Sequence, residues 1–359
     1  MMHWVLYGAY GYTGRLILQE ALRQKIPPLL AGRNPRALEA LARETGLPYQ
    51  AASLEDPEAL DRLLRGRRLV LHAAGPFEIT MPPMLAACLR QGVHYLDITG
   101  EIAVFEHLAQ RHEDARRRGV LLLPGVGLDV VPSDCLAAHL KAQLPSATHL
   151  RLVICSTRAG VSRGTLRTMV LNLHRPSAVR RNGRIVDIPP GDTVLEMVLG
   201  GRPRRVYRVR WGDVSTAYHT TGIPNIEVFM CLPRPLARLL PWWPWVKALV
   251  RFPAVRRLLA AGVRWLLPPG PSEAQRARGR VFFEGHAWDE EGRRVCARLE
   301  TPEGYTLTAR AAVAAVKGVL ARAEEVSGFQ TPARLFGPSW VLSLEGVTGF
   351  SPCATDFPV

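Results

Sequence analysis

The chain has 359 residues, 47% hydrophobic and 21% charged. That is enough to bury a large core and, at roughly 150 residues per domain, to build two domains; disorder is excluded as the main state. Lysine plus arginine (46) outnumber aspartate plus glutamate (31), a net charge of +15, and only Lys25, Lys141, Lys247 and Lys317 are lysines, a balance that permits contact with phosphates, nucleic acid or a membrane surface without deciding the fold.

Six cysteines (Cys88, Cys135, Cys155, Cys231, Cys296, Cys353) stand far apart with no CxxC pair. Neither a zinc ribbon nor a dense disulfide framework is written in that spacing, no metal is expected, and a reduced cytoplasm fits best. The apolar opening is too short for a signal peptide, and no uncharged apolar run approaches about 18 residues. The expectation is a cytoplasmic protein that is neither secreted nor membrane-spanning.

In chain order, residues 5–8 read as a strand and 13–24 as a helix with Leu16, Ile17, Ala21 and Leu22 on one face. Residues 29–31 are a strand. Asn34 caps and Pro35 opens the next helix, which turns Leu38, Leu41 and Ala42 inward and stops at Gly46. Asp56-Pro57 opens a third helix ending at Gly66, residues 69–72 form a fully buried type of strand, and a helix over 82–91 stops at Gly92. A strand over 95–98, a long charged helix to Arg118 and a strand over 120–123 complete the series. Strands separated by helices mean βαβ units, parallel pairing and right-handed crossovers, so residues 1–130 predict a doubly wound parallel sheet of α/β class. From 131 to 305 one helix (133–143) precedes longer, polar-alternating strands at 149–155, 204–211, 281–288 and 295–301. These predict a second, α+β domain with a mixed or antiparallel sheet.

Between the first strand and first helix stands Gly8-Ala9-Tyr10-Gly11-Tyr12-Thr13-Gly14. In that context the first glycine permits a sharp turn, the second lets backbone approach a pyrophosphate, the third lets helix pack on strand, and the helix N-terminus offers amides to an anion. The spacing is GxxGxxG, with Tyr10 where GxGxxG would have its second glycine; a glycine turn without function is the alternative. The second strand ends in Ala31-Gly32-Arg33-Asn34, where NAD enzymes carry an acid for the ribose hydroxyls. Arg33, with Arg36 beyond it, suits a 2′-phosphate, so NADP(H) is the expected cofactor unless Arg33 is a solvated surface arginine. Ala73, Ala74, Gly75, Pro76 and Phe77 close the fourth strand, where small residues would let a cofactor lie across the sheet edge and the Gly-Pro-Phe turn would fix its nicotinamide end, or form a simple tight turn.

These segments together resemble the saccharopine dehydrogenase-like oxidoreductases, including the trans-acting enoyl reductase branch. The likeness rests on GAYGYTG at 8–14, AGRN at 31–34, HAAGPF at 72–77, GVHYLDITGE at 92–101 and PGVGLDVVPSD at 124–134. It continues through GTLRTM at 164–169, TTGIPNIEVF at 220–229 and GFQTPARLFG at 328–337. The resemblance implies an N-terminal Rossmann domain, a second domain that dimerises or holds substrate, and a C-terminal segment, 306–359, returning to the cofactor domain. Tyr10 departs from the small residue usual in such loops.

Hydride chemistry asks the protein for positioning and one proton-transfer group. No tyrosine stands four residues before any lysine, which excludes the Tyr-x-x-x-Lys pair of short-chain dehydrogenases. At strand ends remain Asp97, Glu101 and Asp129, any of which would orient substrate or donate a proton if burial raises its pKa; helix capping by Asp97 or Thr99 is the competing role. Tyr218 and His219 are weaker candidates. Gly160-Val161-Ser162-Arg163-Gly164 matches GxSxG, but four residues separate it from its strand, against the nucleophile elbow of a hydrolase.

Between 234 and 280 lie ten basic residues, one acid (Glu273) and Trp242, Trp243, Trp245 and Trp265. Arg256, Arg257 and Arg264 face one way and Leu258, Leu259, Gly262 and Leu266 the other. This is the pattern of a helix in a membrane interface, or of a lid over an apolar substrate, or of a helix packed on its own domain or a dimer partner. No nucleic-acid module accompanies the charge. The expectation is thus an NADP-dependent oxidoreductase, a homodimer, acting on a carbonyl, imine or activated alkene in a small substrate, with an apolar or acyl one as the variant that the basic, Trp-rich segment suggests. Alternatives are a trans-acting enoyl reductase with a synthase partner and a non-catalytic NADP-sensing regulator.

Overall fold

A computed structural model describes residues 3–157, 160–172, 174–189, 193–199, 202–231, 250–266, 269–322 and 325–353. The chain forms two compact units: residues 1–135 with 305–345, and residues 136–304 with 346–359. The C-terminal segment expected to return whole to the first domain is divided between the two.

The first unit alternates strands β1 (Trp4–Tyr7), β2 (Leu29–Gly32), β3 (Tyr49–Ala51), β4 (Leu69–His72), β5 (His94–Asp97) and β6 (Leu121–Leu123) with helices. These are α1 (Tyr12–Arg23), α2 (Pro35–Thr45), α3 (Pro57–Leu64), α4 (Phe77–Gln91), α5 (Ile102–Gln110) and α6 (His112–Arg117). After α7 (Val131–Gln143) the chain builds the second unit. It re-enters the first through α12 (Gly304–Arg322), β15 (Gly328–Phe329) and α13 (Pro332–Phe336). The sheet order is β15-β6-β5-β4-β1-β2-β3, every pairing parallel. Its order reverses between β1 and β4, the position where open α/β sheets leave a crevice at the strand C-termini.

Period-two alternation sorts the strand residues onto two faces. Val5, Tyr7, Val70, Tyr95 and Leu122 meet Leu60 and Leu63 of α3, Met84 and Leu85 of α4 and Val104 of α5. Trp4, Leu6, Leu30, Leu71, Leu96 and Leu123 meet Ile17 and Leu18 of α1, Leu38 and Leu41 of α2 and Val313 and Val316 of α12. Burial on both faces explains why these strands are continuous apolar runs. The caps at Asn34 and Asp56 form as their sequences predict, each side chain accepting from the amide three residues on.

The edge strand β3 was not among the expected elements, and two helices of this unit differ from expectation. α4 begins at Phe77, five residues before Pro82, and carries Pro82 and Pro83 inside it. The long charged helix breaks at Arg111 into α5 and α6.

The second unit contains β7 (His149–Thr157), β8 (Ser177–Arg181), β9 (Arg184–Ile188), β10 (Val194–Leu199), β11 (Arg202–Arg208), β12 (Asn225–Cys231), β13 (Arg280–Trp288) and β14 (Arg294–Pro302). Its helices are α8 (Arg163–Asn172), α9 (Asp213–Thr221), α10 (Pro253–Leu266) and α11 (Glu273–Arg278). The sheet runs β10-β11-β12-β7-β13-β14, with β8 on β12 and β9 on β8, and only β7 and β12 pair in parallel. It is mixed, as the alternating strands predict. The expectation of unpaired thiols is corrected for four cysteines. Strand register brings Cys155 of β7 against Cys231 of β12 (Cα–Cα 4.9 Å) and Cys296 of β14 against Cys353 (5.9 Å), each pair joined as a disulfide. Partners 76 and 57 residues apart leave no mark in local spacing. Cys88 and Cys135 are free and buried.

Candidate functional site

Gly8, at the end of β1, has φ +88°, a conformation that opposes side chains, and a Cβ there would meet the Ala73 carbonyl carbon at 3.0 Å. Its amide donates to the Ala31 carbonyl at 2.8 Å, and the Gly11 amide donates back to the Gly8 carbonyl at 2.9 Å, closing the turn. A Cβ on Gly14 would fall 2.2 Å from the Gly8 carbonyl oxygen, so only glycine lets α1 start this close to β1. Gly11 is the N-cap and offers no side-chain acceptor. Tyr12, Thr13 and Gly14 form the first turn, whose amides point toward the N-terminal, positive end of the helix dipole.

Tyr10 turns its ring onto Gly32 and packs at the edge of the core cluster beneath; its hydroxyl accepts from the Asn34 amide at 3.3 Å. This position explains how a bulky residue fits a loop that usually carries a small one. Asn34 itself accepts the Ala37 amide at 3.2 Å and caps α2. Arg33 and Arg36 are exposed, and neither makes an ion pair among the described residues.

Ala73 donates to the Tyr7 carbonyl at 2.8 Å, setting Ala73 and Ala74 beside Gly8 at the switch point; Gly75 is joined to Pro76 by a cis peptide bond, and Phe77 opens α4. The amides of Phe77 and Glu78 both donate to the Glu101 carboxylate, at 2.9 Å each. Glu101 therefore caps α4 from 23 and 24 residues away, which is why that helix starts before its prolines. Behind the turn, His72 is fully buried, stacks on Tyr7 (centroids 5.3 Å) and contacts Thr80 Oγ1 at 3.0 Å; burial pushes its pKa down to about 3, so it stays neutral.

Asp97 is fully buried at the end of β5. Its Oδ1 accepts from the amides of Thr99 and Gly125, both at 3.0 Å, and its Oδ2 from the Tyr95 hydroxyl at 2.7 Å. Burial lifts its pKa to about 6, with the three donors pulling the other way. Thr99 Oγ1 accepts from the Glu101 amide at 3.1 Å, so the Asp97-to-Glu101 segment is a chain of side-chain-held turns that holds Glu101 in its capping position. Asp129 follows β6. Its carboxyl lies against Gly100, where a Cβ would come within 2.9 Å of Oδ2, and burial raises its pKa to about 6.

Two residues of α12 join this strand-end cluster without any warning in the sequence. Thr308 Oγ1 accepts from the Leu128 amide at 3.1 Å, and Tyr305 packs edge-on against Tyr12, centroids 5.1 Å apart. Thr308 is 180 residues from Leu128, so no local pattern could have named either one.

The remaining candidates lie in the second unit. Tyr218 sits on α9 under the Arg180 guanidinium, 4.1 Å from its ring, with His219 against it. Ser162 Oγ accepts the Thr165 amide at 3.2 Å at the start of α8, a helix cap rather than a nucleophile elbow. Residues 232–249, with Arg234, Arg238, Lys247 and Trp242, Trp243 and Trp245, and the side chains of Arg257, Arg264, Trp265 and Leu266, lie outside the described residues. α10 packs beside α8 yet leaves Leu258 75% and Leu259 46% exposed. Among the described residues no helix is long and apolar enough to cross a membrane.

Comparison with known proteins agrees with this geometry. A saccharopine dehydrogenase-like oxidoreductase of Arabidopsis thaliana is 36% identical over 147 residues, covering 36% of this chain and 32% of its own length. The mouse saccharopine dehydrogenase-like oxidoreductase is 29% identical over 162 residues, 40% of this chain and 38% of that protein. The trans-acting enoyl reductase of Mycobacterium ulcerans is 31% identical over 144 residues, 38% and 34% of the two chains. The matched segments thus span about a third of these relatives. Apo saccharopine dehydrogenase (L-Glu forming) of Saccharomyces cerevisiae superposes with TM-score 0.64 at 13% identity, over 93% of this chain and 95% of that one, which shows a shared fold. Residues 4–123 match the family model described as the saccharopine dehydrogenase NADP binding domain. With its glycine turn at the switch point of a doubly wound sheet, the N-terminal part of this chain belongs to that family of nicotinamide dinucleotide-binding domains.

Proposed function

We propose that the protein is an NADP(H)-dependent oxidoreductase that transfers hydride to or from a carbonyl, imine or activated alkene. The observation carrying this reading is the Gly8–Gly14 turn at the switch point of the parallel sheet, which a single Cβ would obstruct, with Arg33 following β2 beside it. The first-turn amides of α1 would receive the diphosphate, and the guanidinium of Arg33, with Arg36, would pair with the 2′-phosphate. Ala73 to Phe77 would flank the nicotinamide. When bound, the cofactor supplies or accepts the hydride, and the protein provides orientation and a proton.

Of the three acids, Glu101 is engaged in capping α4 and Asp97 in joining β5 to the loop after β6. The Asp129 carboxyl, enclosed against Gly100, has its pKa raised by burial to about 6, which lets it exchange a proton near neutrality, so it is the proposed proton-transfer group. This reading takes the enzyme as a cytoplasmic homodimer.

The test is titration of NADPH and NADH against wild type and Arg33→Ala. One charge-assisted contact contributes about 1.5–3 kcal/mol, so NADPH affinity should fall about 10- to 100-fold while NADH affinity holds. Equal effects on both cofactors would refute the NADP assignment. In a substrate screen, Asp129→Asn should depress kcat and remove a pH limb near 6 without changing cofactor affinity. Tight binding without turnover of any carbonyl, imine or alkene would instead identify a sensor.

A second reading, a trans-acting enoyl reductase working on an acyl substrate with a synthase partner, draws support from the Mycobacterium ulcerans relative and from the exposed Phe252, Leu258 and Leu259. A long-chain enoyl thioester as the preferred substrate would favour it.

A further inference from the structure

A row of donor side chains crosses two adjacent strands of the second unit and the tail segment bridged to them. In the antiparallel ladder of β13 and β14, His286 stands directly opposite Cys296, and Glu284 opposite Arg298. The tail extends the row: Ser351 pairs antiparallel with Arg298, the Arg298 amide donating to the Ser351 carbonyl at 2.8 Å and the Ser351 amide to the Arg298 carbonyl at 3.0 Å, which carries Cys353 to the position beside Cys296. One ligand atom from each of His286, Cys296 and Cys353 falls within 4.8 Å of the others. Tetrahedral donors sharing a zinc ion, at about 2.3 Å for sulfur and about 2.0 Å for nitrogen, stand about 3.5 to 3.8 Å apart, so once reduced the two sulfurs part from bonding distance and the imidazole draws in by up to about 1 Å.

We propose that, with its thiols reduced, this trio binds a zinc-like divalent cation. Two thiolates and an imidazole are the donors such an ion prefers, and three protein ligands leave a fourth position open. The neighbouring groups suit the purpose. Glu284, 1% exposed, accepts His286 Nε2 at 2.8 Å and Arg298 Nε at 2.5 Å. A proton on Nε2, directed at Glu284, would make Nδ1 the coordinating atom, the carboxylate–histidine arrangement that orients metal-bound imidazoles. Charge balances as well. The ion displaces one proton from each thiol to solvent and is neutralised by the two thiolates, while Glu284 and Arg298 answer each other and Arg151, the neighbour of His286 on β7, is paired with Glu227. The disulfide joining Cys296 to Cys353 and the metal site are alternative states of one cysteine pair; an external thiol or phosphine reductant supplies the two electrons, solvent the two protons, and the resulting dithiol is the binding state.

The test uses full-length protein reduced with a phosphine, stripped of metal and titrated with Co2+ under nitrogen. A thiolate-to-cobalt charge-transfer band saturating at one ion per chain, and its loss on adding Zn2+, is the expected result. Cys296→Ser and Cys353→Ser should each remove most of the band. Glu284→Gln should weaken Zn2+ binding about 10- to 100-fold, and Cys88→Ser should leave it unchanged. A measurement on wild type alone needs no variant to fold: bound Zn2+ should shield Cys296 and Cys353 from alkylation, read by peptide mass spectrometry. The proposal is overturned if the reduced wild type gives no charge-transfer band, if Zn2+ leaves both thiols reactive, or if the band survives in the Cys296→Ser/Cys353→Ser double variant.

Discussion

A methyl group on Gly14 would stand 2.2 Å from the Gly8 carbonyl oxygen, so α1 would have to move away from β1. Gly14→Ala is expected to cost about 1–3 kcal/mol, as overpacking of a well-packed contact does. Thermal unfolding should show the loss, with dinucleotide affinity falling in parallel; an unchanged midpoint would mean the helix start has slack. Asp97 permits a sharper test. Its folded pKa, about 6, lies above the ordinary 3.8, so the folded state holds the proton more tightly than the unfolded chain. The associated stability is fully present below 3.8 and is lost as pH rises through about 6. Asp97→Asn keeps an acceptor for the Thr99 and Gly125 amides but cannot ionise. The wild-type melting temperature, relative to this variant, should therefore fall between pH 4 and pH 7 and then level off. Parallel pH curves for the two proteins would contradict the burial argument. Asp97 was recognisable in the sequence as an acid at a strand end, but Tyr95, Thr99 and Gly125 become its partners only when two loops meet.

At the scale of elements, α4 illustrates how far local rules reach. Pro82-Pro83 reads as a helix start because proline suits the first turn and interrupts later ones. The helix instead starts at Phe77, where Glu101, from the loop after β5, accepts its first two amides. Glu101→Ala should cost about 1–2 kcal/mol, with faster amide exchange at Phe77 and Glu78. Glu101→Gln, which retains one acceptor oxygen, should recover part of that loss, and exchange rates unaffected by either change would remove the cap from the account. The helices capped by Asn34 and Asp56 were legible because each cap and its amide lie three residues apart. The long helix expected before Arg118 was legible in extent but not in its break at Arg111.

For the whole molecule, charge distribution sets the expectation that can be measured. Residues 234–280 hold ten of the 46 basic side chains and a single acid, and α10 within them exposes Leu258 and Leu259. A segment of that composition, with the exposed Leu258 and Leu259, should draw the protein to anionic vesicles at low salt and release it as screening grows. Flotation that ignores both salt and lipid charge would leave α10 as a helix packed on α8 with no lipid role.

What the sequence determined by itself is whatever neighbours along the chain enforce: strand and helix periods, the parallel sheet, the glycine turn and Arg33 at the next strand's end. These follow from repulsions and hydrogen bonds spanning a few residues. Tertiary structure alone decided the contacts that chain distance hides: Glu101 on α4, Thr308 on the Leu128 amide, Cys155 on Cys231, and the His286–Cys296–Cys353 row. Such contacts arise from strand register and helix docking, where burial of whole faces selects the partners and sequence separation carries no information.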